Sequence, residues 1–478
     1  MSHTTGCPRV RRTVIIALVL LLLGGSFVVY RSGQRPFYLG GIQVNEPDHQ
    51  IWVDALDDSG FNTVAITVYA KQGDWDTTNL WFEEEEPWVV GEAVVAKARG
   101  LRVVLVLRVA LDHAFERNKF FWHGMIMPTS DREVEEWFDR YQEFVLKWAR
   151  IAEDVGIDVL AVGSELNALT NTLEVEKLPP LEEYWSNEEK VEDENAKVLA
   201  HRQEIENRRI WVRGNEDYDG LEPYLKDRSA AHAQWARQVT FLDDADPLAR
   251  VNARRRLLNA QWSKLIGRVR EVFSGPLTYA ANFDQYQDVG FWSELDLIGI
   301  NAYFPLRRRD LPEGIQGGRV DLFASRWSTI LNEIDTFRRQ QGVADHRVLF
   351  TELGYVRRAN CTIQPWAAHG FEVLASADGS TLMIWEDQPE DLVERAEAVR
   401  GLYEANLEFG GSMLAGILYW KLSSEPAHLD VEPFVLLVGE RADDDPLLTE
   451  MQRFSSRLQF DLWKRRIFSP FESASSSS

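Results

Sequence analysis

The stretch LRVVLVLRVA, residues 101–110, decides the fold. Its centre, VVLVL at 103–107, contains no polar residue, and such continuous apolarity indicates a strand that is buried on both faces. Strands of this kind are typical of a parallel sheet that is covered by helices. Seven further short apolar runs occur along the chain: Phe37–Val44, Thr63–Ala70, Asp158–Gly163, Pro276–Asn282, Leu295–Ala302, Arg347–Thr351 and Leu414–Trp420.

Stretches with helical periodicity separate several of these runs. His49–Asp58 precedes the second run, Val134–Val155 the fourth and Leu392–Phe409 the eighth. Eight strands that alternate with helices predict a (β/α)8 TIM barrel, an α/β fold. The rival architecture, a doubly wound open sheet, is expected to carry a glycine-rich phosphate loop after its first strand, and this sequence has none there.

The spacing of the strands is uneven. The fourth and fifth runs lie about 115 residues apart, several times the length of one β/α unit. We therefore expect a charged helical insertion over about 170–245, lying lightly on the top or side of the barrel. The barrel domain is predicted over residues 37–467. The serine-rich end of the chain, residues 468–478, is predicted to be a disordered tail.

Residues 13–30, TVIIALVLLLLGGSFVVY, carry no charge and follow three arginines within residues 9–12. A run of this length is near the lower limit for crossing the hydrocarbon core of a bilayer, and it predicts a transmembrane helix. The positive-inside rule places residues 1–12 in the cytoplasm and the main domain in the periplasm or outside the cell. A cleaved signal peptide is the alternative, but the apolar sequence that continues past residues 24–26 favours an uncleaved anchor.

The composition excludes several classes of protein. The chain has 75 acidic and 52 basic residues, a net charge of −23, and such a surface repels nucleic acid and anionic lipid headgroups. Cys7 and Cys361 lie far apart, on opposite sides of the hydrophobic segment, so neither a disulfide framework nor a cysteine zinc site is expected. Because the sequence also lacks an HExxH motif and an EF-hand, we expect no metal and no other cofactor.

Two glutamates directly follow predicted strands. DVLAVGSELN, residues 158–167, places Glu165 after the fourth run, and RVLFTELGY, residues 347–355, places Glu352 after the seventh. Catalytic groups in an α/β barrel come from the carboxyl ends of the strands. Each glutamate alone is also compatible with a structural ion pair. Two opposed carboxylates, however, suit glycoside hydrolysis, in which one group is protonated and the other is ionised.

Five stretches occur in an order that carries a resemblance: VGSELNALT (162–170), LTYAANFD (277–284), LIGINAYFPL (297–306), FTELGY (350–355) and GILYWKL (416–422). By these the sequence resembles clan A glycoside hydrolases, most closely glycoside hydrolase family 113 and the TIM-barrel-like domain of gene transfer agents. The resemblance implies that Glu165 is the acid/base and Glu352 the nucleophile, and that the substrate is a β-mannan. It also implies that Tyr303 approaches the nucleophile and that Trp420 lies under a sugar. Ser164 departs from the clan, since many members have an asparagine there that reaches the sugar 2-hydroxyl.

Further candidates for sugar binding lie in loops at the predicted mouth of the barrel. Aromatic rings stack on the apolar faces of sugars, and polar side chains after apolar strands can bind hydroxyl groups. For the polar candidates, capping a loop is an equally good interpretation. The candidates are Trp122, Trp366, Trp420, Asn282, Tyr303 and Asp112.

The sequence as a whole predicts a membrane-tethered retaining glycosidase that acts on a β-linked polysaccharide or oligosaccharide outside the cytoplasm, and a lipid bilayer as partner of residues 13–30. One alternative is a catalytically silent carbohydrate-binding barrel in envelope or exopolysaccharide assembly. Another is an interaction scaffold whose acidic insertion docks a protein. The presence of both Glu165 and Glu352 weighs against the silent barrel, because sugar binding alone does not require two opposed carboxylates.

Overall fold

The computed structural model describes residues 37–82, 85–177, 188–200, 202–203, 218–307, 318–367, 371–375, 381–385, 388–442 and 444–475. The strands at its centre are β1 Tyr38–Gln43, β2 Thr63–Gln72, β3 Arg102–Leu111, β4 Val159–Ser164, β5 Leu277–Asn282, β6 Leu297–Asn301, β7 Arg347–Leu353 and β8 Leu414–Ser423. Each strand pairs in parallel with the next, and β8 pairs in parallel with β1. The sheet is therefore a closed barrel, and all eight predicted strands are confirmed.

Helices surround the barrel and also extend the chain beyond it. The longer ones in the described residues are α1 His49–Asp58, α2 Glu86–Arg99, α3 Asp131–Val155, α4 Glu188–Ala200, α5 Leu221–Thr240, α6 Pro247–Arg270, α7 Gly318–Gln340, α8 Leu392–Glu408, α9 Pro446–Ser456 and α10 Leu458–Ser475. The helices predicted at 49–58, 134–155 and 392–409 are confirmed. Short strands flank the barrel at Leu80–Trp81 and Leu436–Leu437, and a hairpin joins Phe371–Ala375 to Thr381–Trp385.

The helix α3 illustrates how local sequence sets these elements. The Ser130 side chain accepts a hydrogen bond from the Glu133 backbone N–H, while the Glu133 carboxylate accepts from the Ser130 backbone N–H. This capping box satisfies N–H groups that the first turn of a helix leaves free. The helix ends at Gly156, whose φ of 78° suits a residue without a Cβ atom. Its buried face includes Trp137, Tyr141 and Trp148, and these rings pack the helix against the barrel.

Small and branched side chains fill the inside of the barrel. The cluster includes Ala65, Val104, Ala161, Ala280 and Leu418, all buried. A barrel interior of this kind is a packed core and not a channel. Polar side chains therefore have to emerge at the ends of the strands, and the loops that follow the carboxyl ends of the strands are the place where a site can form.

The sequence between β4 and β5 contains α4, α5 and α6. The helix α6 packs against α3 and so takes the place of the barrel helix that follows β4. Since one β/α unit needs only one such helix, α4 and α5 are extra to the barrel. The extra sequence is helical, as predicted.

Two predictions from the sequence concern the ends of the chain: a membrane segment near the N-terminus and a disordered tail at the C-terminus. Residues 1–36, with the predicted membrane segment 13–30, lie outside the described residues. Over the part of the chain that is described, no helix has the length and apolarity needed to cross a membrane. The helix α10 is described from Leu458 to Ser475, and Leu462 and Trp463 in it are buried. The disordered tail over residues 468–478 stays a prediction.

Candidate active site

Glu165 is the first residue after β4, and its backbone has a φ of 52°. Positive φ is uncommon for a residue other than glycine and requires support from its surroundings. The backbone N–H of Glu165 donates to the carbonyl oxygen of Ala280 at 2.9 Å, and the backbone N–H of Leu166 donates to the Tyr279 hydroxyl at 2.7 Å. The strand β5 thus holds the turn, and the Glu165 side chain is buried with 8% exposure.

Glu352 lies near the carboxyl end of β7 and is 4% exposed. The hydroxyl of Tyr303, which follows β6, donates to Oε2 of Glu352 at 2.8 Å. Nη2 of Arg108 donates to Oε1. Each oxygen of this buried carboxylate therefore has a donor, which is the condition for keeping a carboxylate in a protein interior.

Arg108 connects the two glutamates. It lies on β3 and is 6% exposed, and its Nη2 is 3.7 Å from Oε2 of Glu165 while donating to Oε1 of Glu352. These two carboxylate oxygens are therefore at most about 6.5 Å apart, since a charge-assisted hydrogen bond is ~2.8 Å long. Ser164 accepts from Nε and Nη2 of Arg108 at 3.1 and 2.8 Å and holds the guanidinium in place.

The surroundings give the two carboxyl groups different proton affinities. Burial raises the pKa of Glu165, but the positive charge of Arg108 and the hydrogen bond from His123 outweigh burial and lower the pKa to about 2. For Glu352, burial prevails, and the negative charge of Glu165 adds to it, so that the pKa is raised although Arg108 and Tyr303 oppose the change. Two neighbouring carboxyl groups with separated pKa values are typical of an acid/base pair.

His123 is a site residue that the sequence did not reveal. It lies in the short turn His123–Met125 of the loop after β3, and its Nε2 is 2.9 Å from Oε2 of Glu165. No periodicity or motif connects two residues that are 42 positions apart. Arg108, by contrast, left a visible signal, because it is a charged residue within the apolar run 101–110.

Three tryptophans that were predicted to bind sugar lie at the mouth of the barrel. Trp420 on β8 is half-buried, with its ring centroid 5.8 Å from the guanidinium carbon of Arg108. Trp122 is 38% exposed and meets His123 edge-on at 5.0 Å between ring centroids. Trp366 is 40% exposed and stacks on Phe283, directly after β5, at 5.2 Å. Exposed aromatic side chains therefore lie on the loops that follow β3 and β7.

The structure does not bring Asp112 to the carboxylates. Its Oδ1 accepts from the backbone N–H of Ala114 at 2.9 Å, and its carbonyl oxygen accepts from Asn118, so it orders its own loop. Asn282 accepts from the backbone N–H of Phe283 at 2.9 Å, which matches the loop-capping interpretation. Ser164 is fully buried against Arg108 and so supports the guanidinium.

Light packing of the insertion on the barrel was predicted. In the structure, Ala231, Trp235 and Val239 of α5 pack against the main hydrophobic core, and Trp235 donates to the carbonyl oxygen of Met125 at 2.8 Å. Among the described residues, no cluster of histidine, cysteine, aspartate and glutamate side chains has a geometry that could hold a metal ion.

The sequence and the structure were compared with those of known proteins. The model of Glycoside Hydrolase Family 113 matches residues 43–176 and 249–381, more than half of the chain. A solved family 113 β-1,4-mannanase is 15% identical, with a TM-score of 0.53, over 88% of this chain and 100% of its own. The family 113 β-mannanase of Alicyclobacillus acidocaldarius, solved in complex with ManMIm, has the same identity and TM-score over 88% of this chain and 98% of its own. At this identity the two structures show a common fold alone. Comparison with curated proteins finds no match.

Proposed function

The chain belongs to glycoside hydrolase family 113, and we propose that it hydrolyses a mannan-like β-linked polysaccharide with retention of anomeric configuration. One observation carries the proposal: Glu165 and Glu352 contact the same nitrogen of Arg108. The resulting upper bound of about 6.5 Å includes the ~5–5.5 Å of retaining enzymes and only reaches the lower end of the ~6.5–9.5 Å range in which inverting enzymes hold a water molecule.

In this proposal Glu352 is the nucleophile. Arg108 and Tyr303 donate to its two oxygens and so orient the carboxylate for attack on the anomeric carbon. Glu165 protonates the departing glycosidic oxygen as a new bond forms between Glu352 and the sugar. Glu165 then takes a proton from water, which attacks the anomeric carbon and releases Glu352.

The proton has to lie on Glu165 when the glycosidic bond breaks, although the pKa of Glu165 is lowered and that of Glu352 is raised. A bound sugar acts on this order in two ways. It excludes water from Glu165, which disfavours the ionised form. The positive charge that develops at the anomeric carbon favours the ionised form of Glu352. Substrate therefore moves the two pKa values toward the order that the reaction needs.

The aromatic rings at the mouth support a polysaccharide as substrate. Trp122 lies on the side of Glu165, through its contact with His123. Trp366 lies beyond the end of β5. Exposed rings on two different loops can stack on successive sugar units of a polysaccharide. The two family 113 structures are mannanases by their names, and this is why we propose a mannan.

The proposal also includes the cellular location. Residues 13–30 are uncharged and follow an arginine cluster, which supports a single membrane anchor with a cytoplasmic N-terminus. The domain 37–467 would then act in the periplasm or outside the cell, where polysaccharides are found.

Hydrolysis assays with the purified full-length protein, in detergent where it fractionates with membranes, test the proposal. We expect cleavage of β-1,4-mannan, with proton NMR showing the β-anomer as the first product. Glu352→Ala should abolish turnover, because no other group can form the glycosyl–enzyme bond. Glu165→Ala should retain more activity on aryl glycosides with good leaving groups, and azide should restore its rate.

The matched control is Glu153→Gln on α3, whose carboxylate accepts from Ser274 on the outside of the barrel and should not affect turnover. An α-anomer as first product would show inversion. Unchanged activity in Glu352→Ala would refute the assignment of the nucleophile. Mannan binding without hydrolysis would favour the silent carbohydrate-binding barrel.

A further inference from the structure

The helix α5 lies between residues 176 and 249, in the part of the chain that the family model does not match. Two of its side chains hold the loop that follows β3. His232 Nε2 donates to the carbonyl oxygen of Phe120 at 2.8 Å, and Trp235 Nε1 donates to that of Met125 at 2.8 Å. The His232 ring also packs against Phe121, with 5.8 Å between ring centroids.

The two carbonyl groups lie on either side of His123 in sequence. Phe120 precedes the turn His123–Met125 by three residues, and Met125 ends it. Within the turn, the Trp122 indole folds over Gly124 so closely that a Cβ atom there would lie 2.2 Å from the ring. The turn is therefore held at both ends by α5 and closed by its own packing, with His123 Nε2 at 2.9 Å from Oε2 of Glu165.

Other elements hold the outer parts of the same loop. Asn118 donates to the carbonyl oxygens of Gly73 and Asp112 at 2.8 and 2.7 Å. Arg254 on α6 donates to that of Pro128 at 3.1 Å. These contacts lie outside residues 120–125. Within them, Trp75 packs against Phe121 with 5.3 Å between ring centroids, and the helical turn Asn167–Thr170 packs against the His123 turn. Among the described hydrogen bonds, those from side chains to the backbone of residues 120–125 come from α5.

We propose that α5 is a positioning element for the acid/base glutamate: His232 and Trp235 hold the His123 turn so that the imidazole stays within hydrogen-bond distance of Glu165. The inference rests on the proposed function, in which Glu165 donates and accepts the proton. The other titratable or charged groups that face Glu165 come from strands and loops of the barrel: Arg108, Tyr279, Asp284, Tyr303 and Glu352.

The test is the double variant His232→Phe/Trp235→Phe, which keeps two aromatic rings and removes both donors. The hydrogen bond from His123 lowers the pKa of Glu165, so loosening it should raise that pKa. We expect kcat on mannan to fall about tenfold with KM within about twofold, the pattern of a lost transition-state interaction. The high-pH limb of the kcat profile, which reports the complex with substrate, should move upward, as it should in His123→Ala. In a His123→Ala background the double variant should move it no further, because the two changes act through one contact.

The control is Trp327→Phe, in which a fully buried indole on α7 loses its hydrogen bond to the carbonyl oxygen of Ala398 at 3.0 Å. It should lower stability without moving the pH profile. Trp235→Phe alone should move the high-pH limb in the same direction by a smaller amount. This single variant keeps the test available if the double variant does not fold.

A second readout does not require substrate. Amide hydrogen exchange over residues 120–126 should be faster in the double variant than in the wild type, and unchanged in Trp327→Phe. A wild-type protein with no hydrolytic activity would refute the proposed function, while the exchange experiment would still decide the role of α5. An unchanged pH limb and unchanged exchange would overturn the inference. So would a shift that adds to that of His123→Ala.

Discussion

The two oxygens of Glu352 accept hydrogen bonds from different donors, Arg108 and Tyr303. Arg108 shares its charge between Glu352 and Glu165, whereas the Tyr303 hydroxyl donates to Glu352 alone among the described hydrogen bonds. The hydroxyl itself stays protonated, because burial and the charge of Glu352 raise the pKa of Tyr303. Tyr303 is therefore a donor that orients the proposed nucleophile and favours its ionised form.

Removing this donor gives a prediction at the residue scale. We expect Tyr303→Phe to lower kcat/KM by about 10- to 100-fold, since a hydrogen bond to a charged group contributes ~1.5–3 kcal/mol. The pKa of Glu352 should rise, because the Tyr303 hydrogen bond lowers it, and the low-pH limb of the kcat profile, which reports the complex with substrate, should move upward with it.

The control for this substitution is Tyr403→Phe, which removes a 2.6 Å hydrogen bond to Asp461 between α8 and α10. It should change stability and leave the low-pH limb in place. Equal kinetic effects of the two substitutions would contradict the role given to Tyr303.

At the scale of elements, α8 holds the loop that carries Trp366. Glu394 on α8 is 1% exposed and forms an ion pair with Arg307 at 2.8 Å. Its carboxylate also accepts from the backbone N–H groups of Asn360 and Thr362. One buried carboxylate thus connects a helix, the loop after β6 and the loop after β7.

Breaking this network should be costly, because it removes a buried carboxylate partner of Arg307 and the acceptor of two backbone donors. We expect Glu394→Ala to lower the free energy of unfolding by about 3–5 kcal/mol, the range for removing one partner of a buried ion pair. Urea denaturation measures the change. Glu408→Ala, at the exposed end of the same helix, should cost less than about 1 kcal/mol, and a similar loss in both variants would refute the argument.

At the scale of the whole molecule, Glu92 makes stability depend on pH. Its carboxylate lies in the packing of α2 on α1 and β1 and accepts from Gln43 and Trp52, each at 2.9 Å. Burial outweighs these hydrogen bonds and raises the pKa of Glu92 from 4.5 to about 7. Between these two pH values the folded protein binds more protons at this position than the unfolded chain does, so stability falls as the pH rises.

We expect this group to remove about 3 kcal/mol of stability between pH 4.5 and 7, at ~1.4 kcal/mol for each pKa unit. In Glu92→Gln, which cannot ionise, that part of the slope should disappear. Urea denaturation of both proteins at several pH values between 4 and 8 measures the difference. Parallel curves would show that Glu92 ionises normally in the folded state.

The proposed anchor gives a second prediction for the whole molecule. Since residues 13–30 are uncharged and follow an arginine cluster, the full-length protein should remain with membranes after carbonate extraction. Protease added from the outer face should digest the main domain and spare the N-terminal segment. A soluble chain that starts near Phe27 would show a cleaved signal peptide instead.

The sequence by itself determined the barrel and the pair of glutamates. Continuous apolar runs identify buried strands locally, as at 103–107, and the parallel order of the strands places the residue after each run at one end of the barrel. Glu165 at the end of β4 and Glu352 at the end of β7 could therefore be predicted as site residues without any knowledge of distant contacts. Arg108 was visible as a charge in an apolar strand, although its partners were not.

Only the tertiary structure decided which loop residues reach the carboxylates. His123 contacts Glu165, while Asp112, at the start of the same loop, contacts its own backbone neighbours. The loop on both sides of His123 accepts hydrogen bonds from His232 and Trp235, more than a hundred residues away along the chain. The burial of a strand can be inferred from its own sequence, because each side chain faces either the barrel interior or the surrounding helices. The path of a loop is set by the elements that pack on it, and that information is distributed over the whole chain.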